Sequence, residues 1–244
     1  MVEEFDLTNE SKELGYGGTK TVIEYDSKAV ILPNDVDGES LRRLWPRIID
    51  DEITMAAYLA SIGIPTLSFH RCRVHCKDYD LETIYTTPFS EFASQGTYIV
   101  DTKNPKSTIW SRKFPGITLF PEGVDKYEPR SWLPLLQPLI GDIKVVCKNK
   151  VNLGIDALNL AFVKKGSPWH SGDELPFEVR LFCFDLSSKR GPLKIHTADE
   201  PSFERLLERV IESCVWEEIC PNSMSMTEPA RQLRDELCKL LNSR

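Results

Sequence analysis

Residues Leu14 to Val22 read L-G-Y-G-G-T-K-T-V and run directly into the apolar segment Val22-Ile23-Glu24-Tyr25. Glycine lacks a Cβ and tolerates φ > 0, so Gly15, Gly17 and Gly18 allow a tight turn whose backbone N–H groups can approach an anion closely. Lys20 follows at once and brings an ammonium to the same place. Two readings follow: a glycine-rich hairpin turn, or a cradle for phosphate oxygens in which Lys20 adds the positive charge.

At 244 residues the chain is long enough for one large domain or two small lobes around a substantial core. Its 41% hydrophobic and 27% charged residues are those of an ordinary globular protein. A net charge of -7 argues against a nucleic-acid partner, which needs a basic face to neutralise backbone phosphates. Met1 to Glu10 is acidic and lacks the apolar core of a secretory signal, and no stretch approaches the ~20 apolar residues of a membrane span, so a soluble protein is expected. The seven cysteines are odd in number and scattered, which suggests a reducing compartment over a disulfide framework. His70, Cys72, His75 and Cys76 lie close in sequence, but on a strand Cys76 points away from His75, which disfavours a zinc site.

In the first third, Thr21 to Tyr25 and Lys28 to Leu32 form two extended runs around an Asp26-Ser27 turn. A helix is predicted from Leu41 to Ile62, ended by Gly63, with Trp45, Ile49, Ile53, Ala56 and Ala60 on its buried face. Strands are expected from Leu67 to Cys76 and from Leu81 to Thr87, after which Pro88 and Phe89 leave the sheet. Ser90 to Pro129 shows no clear period, apart from a strand at Thr97 to Val100.

Beyond it, Trp132 to Val146 reads as a buried helix with Leu135, Leu136, Leu139, Ile140 and Ile143 facing inward. Asp156 is followed by Asn159, which opens the apolar run Leu160 to Val163. Lys164 to Pro176 is a polar loop, and the apolar strand Phe177 to Phe184 ends on Asp185. A short strand at Leu193 to Thr197, an amphipathic helix from Ser202 to Cys214 and a further helix after Pro229 complete the chain.

The order of these parts resembles that of protein kinases over roughly residues 14 to 188. Gly15, Gly17 and Val22 match the G-x-G-x-x-G-x-V loop, with Lys20 in place of its third glycine. The strand that ends in V-A-I-K in the family reads Ala29-Val30-Ile31-Leu32 here, without the lysine. A lysine lost from that strand and present in the loop resembles the with-no-lysine kinases. The resemblance implies that Lys20 grips the nucleotide phosphates and pairs with a carboxylate of the following helix. That carboxylate is Glu52, with Asp50 and Asp51 as alternatives. It further implies that Asp156 orients the acceptor hydroxyl and that Asn159 and Asp185 bind magnesium.

Only two residues separate Asp156 from Asn159, where the family has four, and neither the histidine-arginine pair before the aspartate nor an A-P-E segment is present. The implied fold is α+β and bilobal. Residues 1–88 would form a small antiparallel-sheet lobe with one helix, and residues 89–244 an abbreviated, mostly helical large lobe. The reduced plan is similar to that of atypical protein-kinase-like effectors that bacteria inject into host cells. It implies ATP and Mg2+ as cosubstrate and cofactor, transfer of the γ-phosphoryl group to a hydroxyl of a host protein, and a place in the host cytoplasm. A pseudokinase that acts as a binding scaffold, and a kinase-fold enzyme with other ATP chemistry such as AMP transfer or ligation, are the alternatives.

Overall fold

The structure is a computed structural model. It describes residues 2–7, 12–16, 20–34, 38–76, 79–100, 133–153, 158–172, 174–184, 186–188, 191–192, 202–215 and 238–239. The N-terminal third builds a six-stranded sheet from β1 (Glu3–Asp6), β2 (Lys12–Tyr16), β3 (Lys20–Tyr25), β4 (Lys28–Pro33), β5 (His70–Cys76) and β6 (Tyr79–Thr86), ordered β1-β5-β6-β4-β3-β2. The pairings are antiparallel except β1 with β5, which is parallel, so the sheet departs from the all-antiparallel expectation at one edge. Asp26 and Ser27 both take positive φ, at 47° and 58°, the twist that lets a two-residue turn join β3 to β4 without splaying them.

Helix α1 (Gly38–Ser61) crosses this sheet and contains Pro46. Its buried stripe is Leu41, Trp45, Ile48, Ile49, Glu52, Met55, Ala56 and Leu59. That stripe is rotated from the predicted face: Ile53 is only half-buried and Ala60 is exposed. The helix ends at Gly63, as its φ of +83° allows, with Gly63 N–H donating to the Ala60 carbonyl at 3.0 Å and Ile64 N–H to the Leu59 carbonyl at 3.0 Å. This paired closure satisfies carbonyls that the helix itself leaves open.

The next described elements are α2 (Phe89–Ser94), a helix in a stretch whose sequence shows no period, and β7 (Thr97–Val100). Then come α3 (Leu133–Lys148), β8 (Leu158–Lys164) and β9 (Phe177–Cys183). Strands β7, β8 and β9 form an antiparallel sheet in that order, against which α3 and α4 (Phe203–Val215) pack. The large half therefore has a three-stranded sheet at its centre as well as helices. A two-stranded ribbon, β10 (Ser187–Ser188) with β11 (Gly191–Pro192), lies against α1. The predicted strand at 193–197 and nearly all of the helix after Pro229 fall outside the described residues.

One buried apolar cluster runs through both halves, from Ile31, Trp45, Leu59 and Ile84 to Leu136, Phe162, Phe182 and Leu207. A smaller cluster of Phe5, Ile23, Val30, Cys72 and Val74 covers the other face of the six-stranded sheet. Polar stitches cross the same seam. Cys183 N–H donates to the Pro65 carbonyl at 2.9 Å, and the Thr66 hydroxyl donates to the Cys183 carbonyl at 2.7 Å. The Arg180 guanidinium holds Asp142 of α3 by two bonds of 2.8 Å while it donates to the Trp169 carbonyl at 2.7 Å and the Gly63 carbonyl at 3.2 Å. Burial pushes the Asp142 carboxyl up, and Arg180 offsets part of that rise.

Glu178 is fully buried, and its carboxylate accepts bonds from the Ser171 N–H at 2.9 Å and from the Ser171 hydroxyl, with a His170 ring nitrogen 3.6 Å away. Those contacts tie the long β8–β9 loop down onto β9. Among the described residues no helix is long and apolar enough to cross a membrane.

Candidate functional site

Lys20 is the first residue of β3, and alternation along that strand puts it on the same face as Val22. Val22 lies opposite Gly15 of β2 and opposite Ile31 of β4, and Ile31 belongs to the core beneath α1. The pairing of β2 with β3 shifts register between Glu13 and Gly15, so the glycine-rich stretch begins at a bulge. Gly17 and Gly18 fall outside the described residues.

From this face the Lys20 ammonium donates to Glu52 Oε2 at 2.9 Å. The Lys20 side chain is 13% exposed and that of Glu52 only 2%. Of the three carboxylates that the sequence offered, the other two are engaged elsewhere: Asp50 with Arg71, and Asp51 with Arg47 at 3.7 Å. Burial pushes the Asp51 carboxyl up, with Arg47 offsetting part of the rise. Glu52 alone of the three stands on the buried stripe of α1. A buried carboxylate costs several kcal/mol unless it is paired and hydrogen-bonded.

The other carboxylate oxygen, Glu52 Oε1, accepts the buried backbone N–H of Leu186 at 2.9 Å. One side chain thus joins the first residue of β3 to the residue that follows Asp185 in sequence. No sequence signal marks this bond, because the donor is a main-chain amide. Asp185 itself and Asp156 fall outside the described residues.

Asn159 stands on β8 opposite Phe182 of β9 and is 1% exposed. Its Nδ2 and Oδ1 are both buried and have no hydrogen-bond partner among the described residues. Such an amide ordinarily finds partners, and one that does not is accounted for by a water, an ion or a ligand. The Thr86 hydroxyl, at the end of β6, is in the same condition. Sequence reasoning passed over Thr86, since a threonine near the end of an apolar strand carries no signal of its own.

The His70, Cys72, His75 and Cys76 group divides between roles in the sheet. The His70 ring stacks on Tyr85, and His75 Nδ1 lies 2.9 Å from Asp80. Cys72 is buried, and burial pushes its thiol up to about 12. Among the described residues no three His, Cys, Asp or Glu side chains are grouped to hold a metal ion.

No protein-family model and no curated protein matches the chain. Among solved structures it is similar to the crystal structure of a Helicobacter pylori proinflammatory kinase, CtkA. The match has a TM-score of 0.36 and 12% identity and covers 100% of this chain and 94% of that one. A likeness of that size brings no chemistry with it, and the reading of the site stands on Lys20, Glu52 and Asn159.

Proposed function

We propose that the chain is an ATP- and Mg2+-dependent phosphotransferase of the protein-kinase kind, which moves the γ-phosphoryl group of ATP to a hydroxyl of a host protein. The observation that carries this reading is the buried Lys20–Glu52 pair, whose carboxylate also holds the Leu186 N–H. A lysine this far removed from water, held by a carboxylate on a core helix, is pre-set to meet phosphate oxygens. Phosphoryl transfer depends mainly on such positioning and charge.

In this reading residues 1–88 grip the nucleotide and residues 89–244 supply the acceptor side. Gly15, Gly17 and Gly18 cover the phosphates, Val22 faces the nucleotide from β3, and Lys20 binds the α- and β-phosphates. Asp156 orients the acceptor hydroxyl and takes its proton as the oxygen attacks the γ-phosphorus. The bond to the β–γ bridging oxygen breaks, and ADP leaves with that electron pair. Asn159 and Asp185 would hold magnesium. The unpartnered Asn159 amide oxygen is a hard ligand of the kind that the ion takes. Bound there, the ion supplies positive charge to the phosphate oxygens. The setting proposed is the host cytoplasm, as for the injected effectors that the sequence resembles.

Thermal stabilisation by ATP with and without Mg2+ tests the reading in the natural chain and in Lys20→Ala, Asp185→Ala and Asn159→Leu. The expected result is a magnesium-dependent shift that is weakened by Lys20→Ala and abolished by Asp185→Ala. Asn159→Leu should raise the unliganded Tm, since it removes a buried unsatisfied amide, and should lose the magnesium dependence. No shift at saturating nucleotide would overturn the reading.

A further inference from the structure

Lys20 can meet Glu52 reliably only where the start of β3 is itself held in place. The two-residue Asp26-Ser27 turn makes Tyr25 and Lys28 a hydrogen-bonded pair, and alternation makes Ile23 with Val30 and Thr21 with Leu32 the next such pairs. Lys20 and Pro33 face each other between these exchanges and share no main-chain bond. The backbone that carries the ammonium therefore depends on what lies beside that pair.

A side-chain bond crosses behind it. The Thr21 hydroxyl donates to Asn34 Oδ1. Thr21 lies opposite Leu32, so Asn34, two residues further along, is its diagonal neighbour on the same face. Pro33 stands between Leu32 and Asn34, and its ring fixes φ there, which stiffens the path to Asn34. Thr21 shares its face with Ile23 of the smaller apolar cluster, whereas Lys20 reaches Glu52 from the other face. Asn34 is 4% exposed, so water is poorly placed to replace the hydroxyl.

We propose that Thr21 and Asn34 are positioning residues for Lys20. Their bond fixes the backbone at the start of β3, which aims the ammonium at Glu52 and, in the nucleotide reading on which this role rests, at the phosphates. Both side chains lie on the far face of the sheet and act through the main chain. A lysine is a point charge on a flexible four-carbon stem, so a wandering backbone adds to a freedom that is already large. Misplacement of a charged group by about 1 Å is enough to lose much of its effect on a reacting centre.

Thr21→Val keeps the β-branched shape and deletes the hydroxyl, while Thr21→Ser keeps the hydroxyl. Affinity for Mg·ATP, measured by calorimetry, should weaken about five- to tenfold in Thr21→Val, the worth of one hydrogen bond, and stay within about twofold in Thr21→Ser. A second readout needs no ligand. The loss of Tm caused by Lys20→Met should be smaller by roughly 2–4 °C in the Thr21→Val background, since a poorly aimed lysine has less to lose. An undiminished loss would overturn the positioning role and leave the bond a support of the sheet alone. Equal Mg·ATP affinity in Thr21→Val and the natural chain, or a Thr21→Ser variant as weak as Thr21→Val, would also overturn it and leave the nucleotide reading standing. Failure of the natural chain to bind Mg·ATP at all would overturn the nucleotide reading and this role with it.

Discussion

Removing either partner of the Lys20–Glu52 pair should cost more than removing both. Lys20→Met leaves the Glu52 carboxylate, 2% exposed, without its ammonium, and breaking a buried pair from one side costs about 3–5 kcal/mol. Glu52→Gln costs less, about 2–3 kcal/mol, because the 13% exposed Lys20 ammonium can turn to water and the amide oxygen still accepts the Leu186 N–H. In the double variant neither charge of the pair remains, and replacement of an ion pair by uncharged groups of similar volume is often close to neutral.

The coupling recovered in a double-mutant cycle should therefore be about 5–8 kcal/mol. For a chain of this length that separates the double variant from the sum of the singles by roughly 10–30 °C in Tm. The measurement is equilibrium unfolding in urea for the four proteins, with m-values compared to verify a common unfolded state. Strict additivity, or a Lys20→Met variant as stable as the natural chain, would refute the reasoning and place Lys20 in solvent.

Two further outcomes are expected. Hydrogen bonding to Asp80, with help from Asp80 and Glu4 charges, holds His75 above its ordinary value, so its stabilisation is present at low pH and is lost as pH rises through the raised pKa. NMR titration should show that raised value, and Asp80→Asn should bring it down; an unmoved titration would dismiss the pair. Arg180→Lys keeps the charge but cannot hold Asp142 with two bonds and reach the Trp169 and Gly63 carbonyls together, and it should destabilise the fold by about 2–4 kcal/mol. A loss under about 0.5 kcal/mol in urea unfolding would mean that the four-way contact is not worth its geometry.

Much of the fold was legible where one element's own chemistry decides it. The Asp26-Ser27 turn, the Gly63 stop and the inward residues of α3 follow from local periodicity and turn preference. On α1 the expected face holds at Trp45, Ile49 and Ala56 and fails at Ile53 and Ala60, because apolar periodicity alone does not count Glu52, which belongs to the stripe with Trp45, Ile49 and Leu59. Helix α2 spans six residues, too few to show a period. Strand β1 offers only Phe5 as a buried apolar residue and owes its place to parallel pairing with β5 from far along the chain. Lys20 and Glu52 could be picked out as a pattern of residue types. Leu186, Thr66 and Thr86 could not, since their roles lie in backbone bonds or in a missing partner.

The stitches between Thr66 and Cys183, and between Gly63 and Arg180, have a consequence for how such a molecule spends the energy of a bound ligand. The apolar interior crosses residue 88 without a break. Cutting the chain there would bare Trp45, Leu59 and Ile84 on one fragment and Leu136, Phe162 and Phe182 on the other, and each would aggregate. Free energy from a ligand bound at Lys20, as proposed, would instead be shared by the entire interior through the linkage of binding to unfolding. A ligand at one end of the six-stranded sheet would then delay melting everywhere, down to α4 against the second sheet.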